Sequence, residues 1–204
     1  MKTLIVIDVQ NDFLPGGSLA VPDSDRIIPI INNIMPKFDL VIATQDWHPQ
    51  NHQSFASNHE NQKPFDIITL HGLNQTLWPD HCVVGSHGAA FPAELNAQAF
   101  AAIFRKGLNP EIDSYSGFYD NGRRQSTGLG GYLKEKKVNS LYFCGLCLDI
   151  CVYFSVVDAL NLDFDCYVIE DAGAALNQHD YAKIKQDLLI KGVKFIDSAS
   201  INTK

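Results

Sequence analysis

Leu141-Tyr142-Phe143-Cys144-Gly145-Leu146-Cys147-Leu148-Asp149-Ile150-Cys151-Val152 is the stretch from which the fold of this chain can be read. Leu141 to Cys144 is a short, continuously apolar run, the mark of a strand buried on both faces. Gly145 then supplies backbone freedom for a turn. From Asp149 to Leu160 the apolar residues recur at helical spacing. A buried strand running through a glycine turn into a helix is one half of a βαβ unit. The same alternation extends in both directions. Strands are expected at Leu4 to Ile7, Leu40 to Ala43, Ala101 to Phe104, Tyr167 to Ile169 and Val193 to Ile196. Helices are expected near Asp23 to Met35, Gln125 to Lys136 and Tyr181 to Ile190, the first stopped by Pro36. The pattern predicts an α/β protein: a three-layer α/β/α sandwich with a mainly parallel central sheet, formed as one domain over residues 1–204.

Composition narrows the function. The chain has 204 residues, 46% of them hydrophobic and 19% charged, with a formal net charge of -7. That describes a globular protein rather than a disordered one. The one basic run, Lys134 to Lys137, closes a helical pattern, where cations suit the helix dipole, so no nucleic-acid partner is expected. Leu4 to Ile7 is too short for a signal core, and no stretch approaches the roughly 18 apolar residues of a spanning helix, so no membrane partner is expected. Five cysteines, an odd number in a chain this long, read as reduced thiols and place the protein in the cytoplasm. A homo-oligomer is compatible with all of this.

Asp46 to Leu95 breaks the rhythm, with little periodicity but much His, Asn, Pro and Trp. A long irregular region inside a compact domain is usually functional. Open α/β sheets bind ligands beyond the carboxyl ends of their strands. Asp8, Asp46, Lys106 and the segment Cys147 to Cys151 each follow a predicted strand, so four strand ends deliver reactive groups to one edge.

Cys151 falls in the first turn of a helix, where the dipole and free N–H groups favour a thiolate and could receive an oxyanion. Asp8 can accept the thiol proton, and Lys106 can stabilise the thiolate and keep Asp8 ionised. The competing reading of Cys151 is a buried structural thiol. A reading of another class makes Cys147 and Cys151 the working pair of a thiol redox or metal-sensing protein. Asp46-Trp47-His48-Pro49 puts two ligand-type side chains on one side of an extended segment, and Trp78-Pro79-Asp80-His81-Cys82 adds a third. Asp46, His48 and His81 together suit one divalent ion, Zn first, with Fe or Mn as alternatives. His52 is a lesser candidate for an additional ligand.

These segments, taken in order, resemble the nicotinamidases of the isochorismatase-like hydrolase superfamily. The resemblance runs from Ile5 to about Asp197. It rests on Ile7-Asp8-Val9-Gln10-Asn11-Asp12-Phe13, the two metal segments, Asn51-His52-Gln53-Ser54-Phe55, Arg105-Lys106-Gly107, Asp113-Ser114-Tyr115-Ser116-Gly117-Phe118 and Cys151-Val152. It implies the isochorismatase-like hydrolase fold and hydrolysis of nicotinamide to nicotinate and ammonia through a cysteine thioester, a step of NAD salvage, with pyrazinamide as a second substrate. Another small amide is the nearest alternative. It further implies a triad of Asp8, Lys106 and Cys151, with metal ligands Asp46, His48 and His81. Phe13 and Trp78 would wall the pocket with Tyr115 nearby, aromatic surfaces suited to a flat pyridine. The oxyanion would meet the backbone N–H groups of Cys147 and Cys151, next to a cis peptide at Leu146-Cys147. This chain departs from the family's usual Gly-Leu-Ala-Thr-Asp-Tyr-Cys-Val, reading Gly-Leu-Cys-Leu-Asp-Ile-Cys-Val.

Overall fold

Lys2–Ile7 forms β1, the strand around which the sheet is assembled. The structure, a computed structural model, describes residues 1–202; the end of the domain predicted over 1–204 therefore lies outside the described residues. β1 pairs in parallel with β2 (Leu40–Asp46) and with β6 (Ser140–Leu146), so that Ile5 is flanked by Ile42 and Phe143. β5 (Ala102–Lys106) extends the sheet beyond β2, while β7 (Asp165–Ala174) and β8 (Lys194–Ile196) extend it beyond β6. The resulting order is β5-β2-β1-β6-β7-β8, with every pairing parallel.

Side chains alternate across the sheet. Leu4 and Val6 point into a core covered by α1 (Ile27–Ile34), with Ile27, Ile31 and Ile34 buried there. Ile5 and Ile7 point the other way, into a core with Leu133 of α2 (Leu129–Glu135), Val156 of α3 (Cys151–Asn161) and Leu188 of α4 (Gln178–Ile190). The predicted α/β/α layering and all six predicted sheet strands are present.

The helix ends differ from the prediction for local reasons. α1 begins at Ile27 rather than Asp23, because a helix containing Pro29 tolerates its ring only in the first turn. α2 begins after Gly128, whose φ of +91° is left-handed. α3 begins at Cys151 rather than Asp149. α4 begins three residues before Tyr181, capped by the Asn177 side chain, which accepts from the His179 and Asp180 amides. The long irregular region also contains an antiparallel hairpin, β3 (Ile67–Leu70) and β4 (Leu73–Thr76), that periodicity did not reveal. Its two-residue turn is His71-Gly72, both at positive φ, as such tight hairpins require.

Candidate active site

The strand order brings the reactive residues together. Asp46 and Lys106 are the last residues of β2 and β5 and are register partners. Asp8 is the first residue beyond β1, and Cys151 opens α3 after β6. Because β5, β2, β1 and β6 are consecutive neighbours, these four side chains meet at one carboxyl edge.

Lys106 is the hub. Its Nζ lies 2.9 Å from Asp8 Oδ2 and 2.6 Å from Asp46 Oδ1, donates to Ser114 O at 2.8 Å, and reaches Cys151 Sγ at 3.5 Å. All four of these side chains are buried. A buried ammonium persists only when paired. Burial works against the Lys106 charge, but the carboxylates of Asp46 and Asp8 outweigh it and hold its pKa well above the ordinary value. The two carboxylates then diverge. Burial pushes Asp8 up, more than Lys106 pulls it down, and the charge of Asp46 adds to the rise. Asp46 is buried too, yet Lys106 and His48 hold it well below the usual carboxylate range. Two acids with separated pKa values suit two tasks, one exchanging protons and one staying ionised.

Burial works against the expectation that the helix N-terminus favours a Cys151 thiolate. Burial pushes the thiol well up against the pull of Lys106, and Asp8 and Asp46 push in the same direction. That direction favours the protonated thiol and gives a base a part in its activation.

The β6–α3 connection contains the cis peptide at Leu146-Cys147. Gly145 is required just before it: its φ is +109°, and a Cβ there would lie 2.1 Å from Ile7 O. The Cys147 carbonyl accepts from the Ile150 and Val152 amides, folding the chain back tightly. Among the described residues the Cys147 and Cys151 amides donate to no protein acceptor, which leaves both for a ligand oxygen. Asp149 is not part of the helix because its carboxylate accepts from the Leu176 and Asn177 amides, at 2.9 and 2.7 Å.

Asp46, His48 and His81 have ligand atoms within 4.8 Å of one another. His48 Nδ1 bonds Gly107 O at 3.1 Å and His81 Nδ1 bonds Pro79 O at 2.8 Å. Each ring therefore turns Nε2 toward Asp46, at 3.6 Å from Oδ1 and 3.8 Å from Oδ2 respectively. Those separations are too long for hydrogen bonds. They approach the spacing of two ligands sharing one ion with bonds of about 2.1 Å. Carbonyl-anchored imidazoles beside an ionised carboxylate fit a divalent cation. His52 is buried with Nε2 unpartnered, and its ligand atom also groups with those of His48 and Asp113.

The loops carrying these ligands are tied to each other. The His48 amide donates to Cys82 O and the Val84 amide to His48 O. Asp12 Oδ2 accepts from the Cys82 amide at 2.6 Å. Gln10 receives the Asp46 amide on Oε1 and donates through Nε2 to Asp46 O and Ala89 O, each at 2.8 Å.

Phe13, Trp78, Tyr115 and Cys147 all line one narrow pocket, alongside Asp46, His81 and Cys151. Leu19, Asp113, Ile150 and Leu176 complete the wall, and no sequence signal marks them for it. Asp113 belongs to a segment that carries the family resemblance, but nothing in its type or spacing distinguishes it there. Leu19 and Leu176 reach the cavity from loops and read in sequence as ordinary core residues. Gln75 of the unforeseen hairpin donates to Asp113 Oδ2 at 3.1 Å and to the Tyr115 hydroxyl at 3.2 Å. All five cysteines are free and buried, and no helix among the described residues is long and apolar enough to cross a membrane.

Comparison with known proteins agrees with this geometry. The isochorismatase domain matches residues 2–200. A nicotinamidase of Acinetobacter baylyi is 46% identical over 203 residues, covering 97% of this chain and 93% of that protein. The fold is similar to that of a nicotinamidase/pyrazinamidase of Acinetobacter baumanii, with a TM-score of 0.95, 43% identity, and coverage of 98% of this chain and 97% of that one. It is also similar to a pyrazinamidase of Pyrococcus horikoshii solved in complex with zinc, with a TM-score of 0.79, 33% identity, and coverage of 96% and 98%. With a domain match over nearly its full length and relatives of this identity, the chain belongs to the isochorismatase domain family.

Proposed function

We propose that this protein is a nicotinamidase, an amidohydrolase that converts nicotinamide to nicotinate and ammonia in NAD salvage and also deamidates pyrazinamide. The observation that carries the reading is the placement of Lys106 Nζ, in reach of Asp8, Asp46 and Cys151 at once. One buried cation thereby couples a nucleophile, a base and a metal-ligand carboxylate. The names of the relatives, nicotinamidase and pyrazinamidase, support the substrate class.

The aromatic walls Phe13, Trp78 and Tyr115 hold the flat ring, with its carboxamide toward Cys151. Asp8 takes the proton from Cys151 Sγ. The thiolate attacks the carboxamide carbon, forming the C–S bond, and the charge that develops on oxygen is received by the Cys147 and Cys151 amides. Asp8 returns the proton to nitrogen as the C–N bond breaks and ammonia departs. Water then cleaves the thioester, releasing nicotinate and restoring the thiol. Throughout, Lys106 keeps its charge and stabilises the thiolate. Asp46, His48 and His81 would hold one divalent ion, zinc before iron or manganese, which supplies Lewis-acid polarisation and a lowered pKa for water. The zinc complex of the Pyrococcus horikoshii relative supports that order. The five free thiols support a cytoplasmic location.

The test is ammonia release from nicotinamide by the purified, metal-replete protein. Cys151→Ala is expected to lower turnover by at least about 10⁴-fold while retaining nicotinamide binding. Appreciable turnover by the variant would rule out the covalent route.

A further inference from the structure

Thr44 of β2 is fully buried and grips Asp8 at two points. Its Oγ1 donates to Asp8 Oδ1 at 2.6 Å and accepts from the Asp8 amide at 3.3 Å. The Thr44 methyl lies close to Gly117, where an added Cβ would come within 2.8 Å of Cγ2. A β-branched side chain has a stiff χ1, which limits how far the hydroxyl can turn away from Asp8. Asp8 has a left-handed φ of +47°, uncommon for a residue with a Cβ, and the hydrogen bond its amide donates to Thr44 Oγ1 helps hold it there. The second oxygen, Asp8 Oδ2, is buried and faces Lys106 Nζ at 2.9 Å, with no hydroxyl or amide committed to it. A carboxylate oxygen of Asp8 lies within 4.8 Å of Cys151 Sγ.

We propose that Thr44 is a positioning residue for the reaction: by committing Asp8 Oδ1 to its hydroxyl, it presents Oδ2 to the Cys151 thiol as the proton acceptor. The proposal rests on Asp8 being the base of the reaction described above. Without the hydroxyl, the carboxylate turns about its Cβ–Cγ bond and offers both oxygens to Lys106. The free oxygen then faces Sγ for a smaller fraction of the time, and proton transfer from Sγ to Oδ2 slows. Substrate contacts are untouched, so binding is unchanged.

Thr44→Val removes the hydroxyl at nearly constant volume, Thr44→Ala removes it without branching, and Thr44→Ser keeps it. In metal-replete protein, Thr44→Val and Thr44→Ala are expected to lose roughly 10- to 100-fold in kcat for nicotinamide with KM within about twofold of the parent. Thr44→Ser is expected to recover kcat to within about threefold. In parallel, alkylation of Cys151 by iodoacetamide without substrate, followed by peptide mass spectrometry, should slow about tenfold in Thr44→Val and Thr44→Ala and recover in Thr44→Ser. Alkylation within twofold of the parent in both hydroxyl-free variants overturns the proposal. So does a loss that serine fails to restore, which would assign Thr44 to packing. If Thr44→Val folds poorly, Thr44→Ala against Thr44→Ser decides alone. The alkylation pattern without nicotinamide turnover in the parent would sink the substrate reading and leave the role of Thr44 standing.

Discussion

The two halves of the site are built by different means. Asp8 and Lys106 stand at the ends of β1 and β5, where the parallel ladder fixes their spacing, and Cys151 opens α3 after the tight turn that follows β6. Of the metal-ligand set, Asp46 shares that support, but His48 and His81 stand on loops held by cross-loop bonds such as Asp12 to the Cys82 amide. Each half is vulnerable in its own way. A ladder-borne charge cluster is coupled to the stability of the whole sheet. The loop-borne ligands, although buried, hold no charge cluster together, so altering them costs the fold less.

Lys106→Met probes the ladder-borne half and carries the largest expected effect. It leaves Asp8 and Asp46 as buried like charges without a cation. The expected cost is about 3–5 kcal/mol of unfolding free energy at pH 7, together with loss of turnover, measured by urea titration. A stability within about 1 kcal/mol of the parent would mean that the sheet edge does not depend on this cluster.

His81→Ala tests the other half. Metal affinity is expected to fall at least about 100-fold, with activity, in a chelator competition. Stability of the chelated protein should fall by only about 1–3 kcal/mol, the cost of losing a buried ring packed against Phe13 and Phe55. A metal-free His81→Ala protein with full activity would remove the ion from the reaction.

The smallest effect is a matter of pH. Burial, with the nearby His48, lowers the pKa of His52 from 6.5 to about 4. Between those values the unfolded chain takes up a proton at His52 that the folded chain refuses. The folded protein therefore has this stability in full above pH 6.5 and loses it as pH falls toward 4. In chelated protein, His52→Gln should flatten the decline of melting temperature across that window. An unchanged slope would show that His52 gains its proton without penalty.

Particular residues show how much could be read in advance. The six sheet strands were legible because a short, continuously apolar run between helical patterns has both faces to bury, and a parallel sheet between two helix layers buries both. Asp8, Asp46, Lys106 and Cys151 were legible because each follows such a run, and the order of strands brings strand ends together. The hairpin at Ile67–Leu70 and Leu73–Thr76 was not legible, since its four-residue strands are partly exposed and lack a sustained apolar period. Gln10, Thr44 and Gln75 were missed as well: an uncharged polar side chain says nothing about its partner until the fold supplies one.

The layering, the sheet that carries the site, and the identity of the residues at its carboxyl edge were all written in the chain, because they follow from periodicity and from chemistry borne by single residues. Folding alone settled that one ammonium would serve two carboxylates, that Asp8 would rise while Asp46 fell, and that burial would push the Cys151 thiol up. Those outcomes depend on burial and on distances between residues far apart in the chain, such as Asp8, Lys106 and Cys151. Such quantities come into being only when the chain has folded.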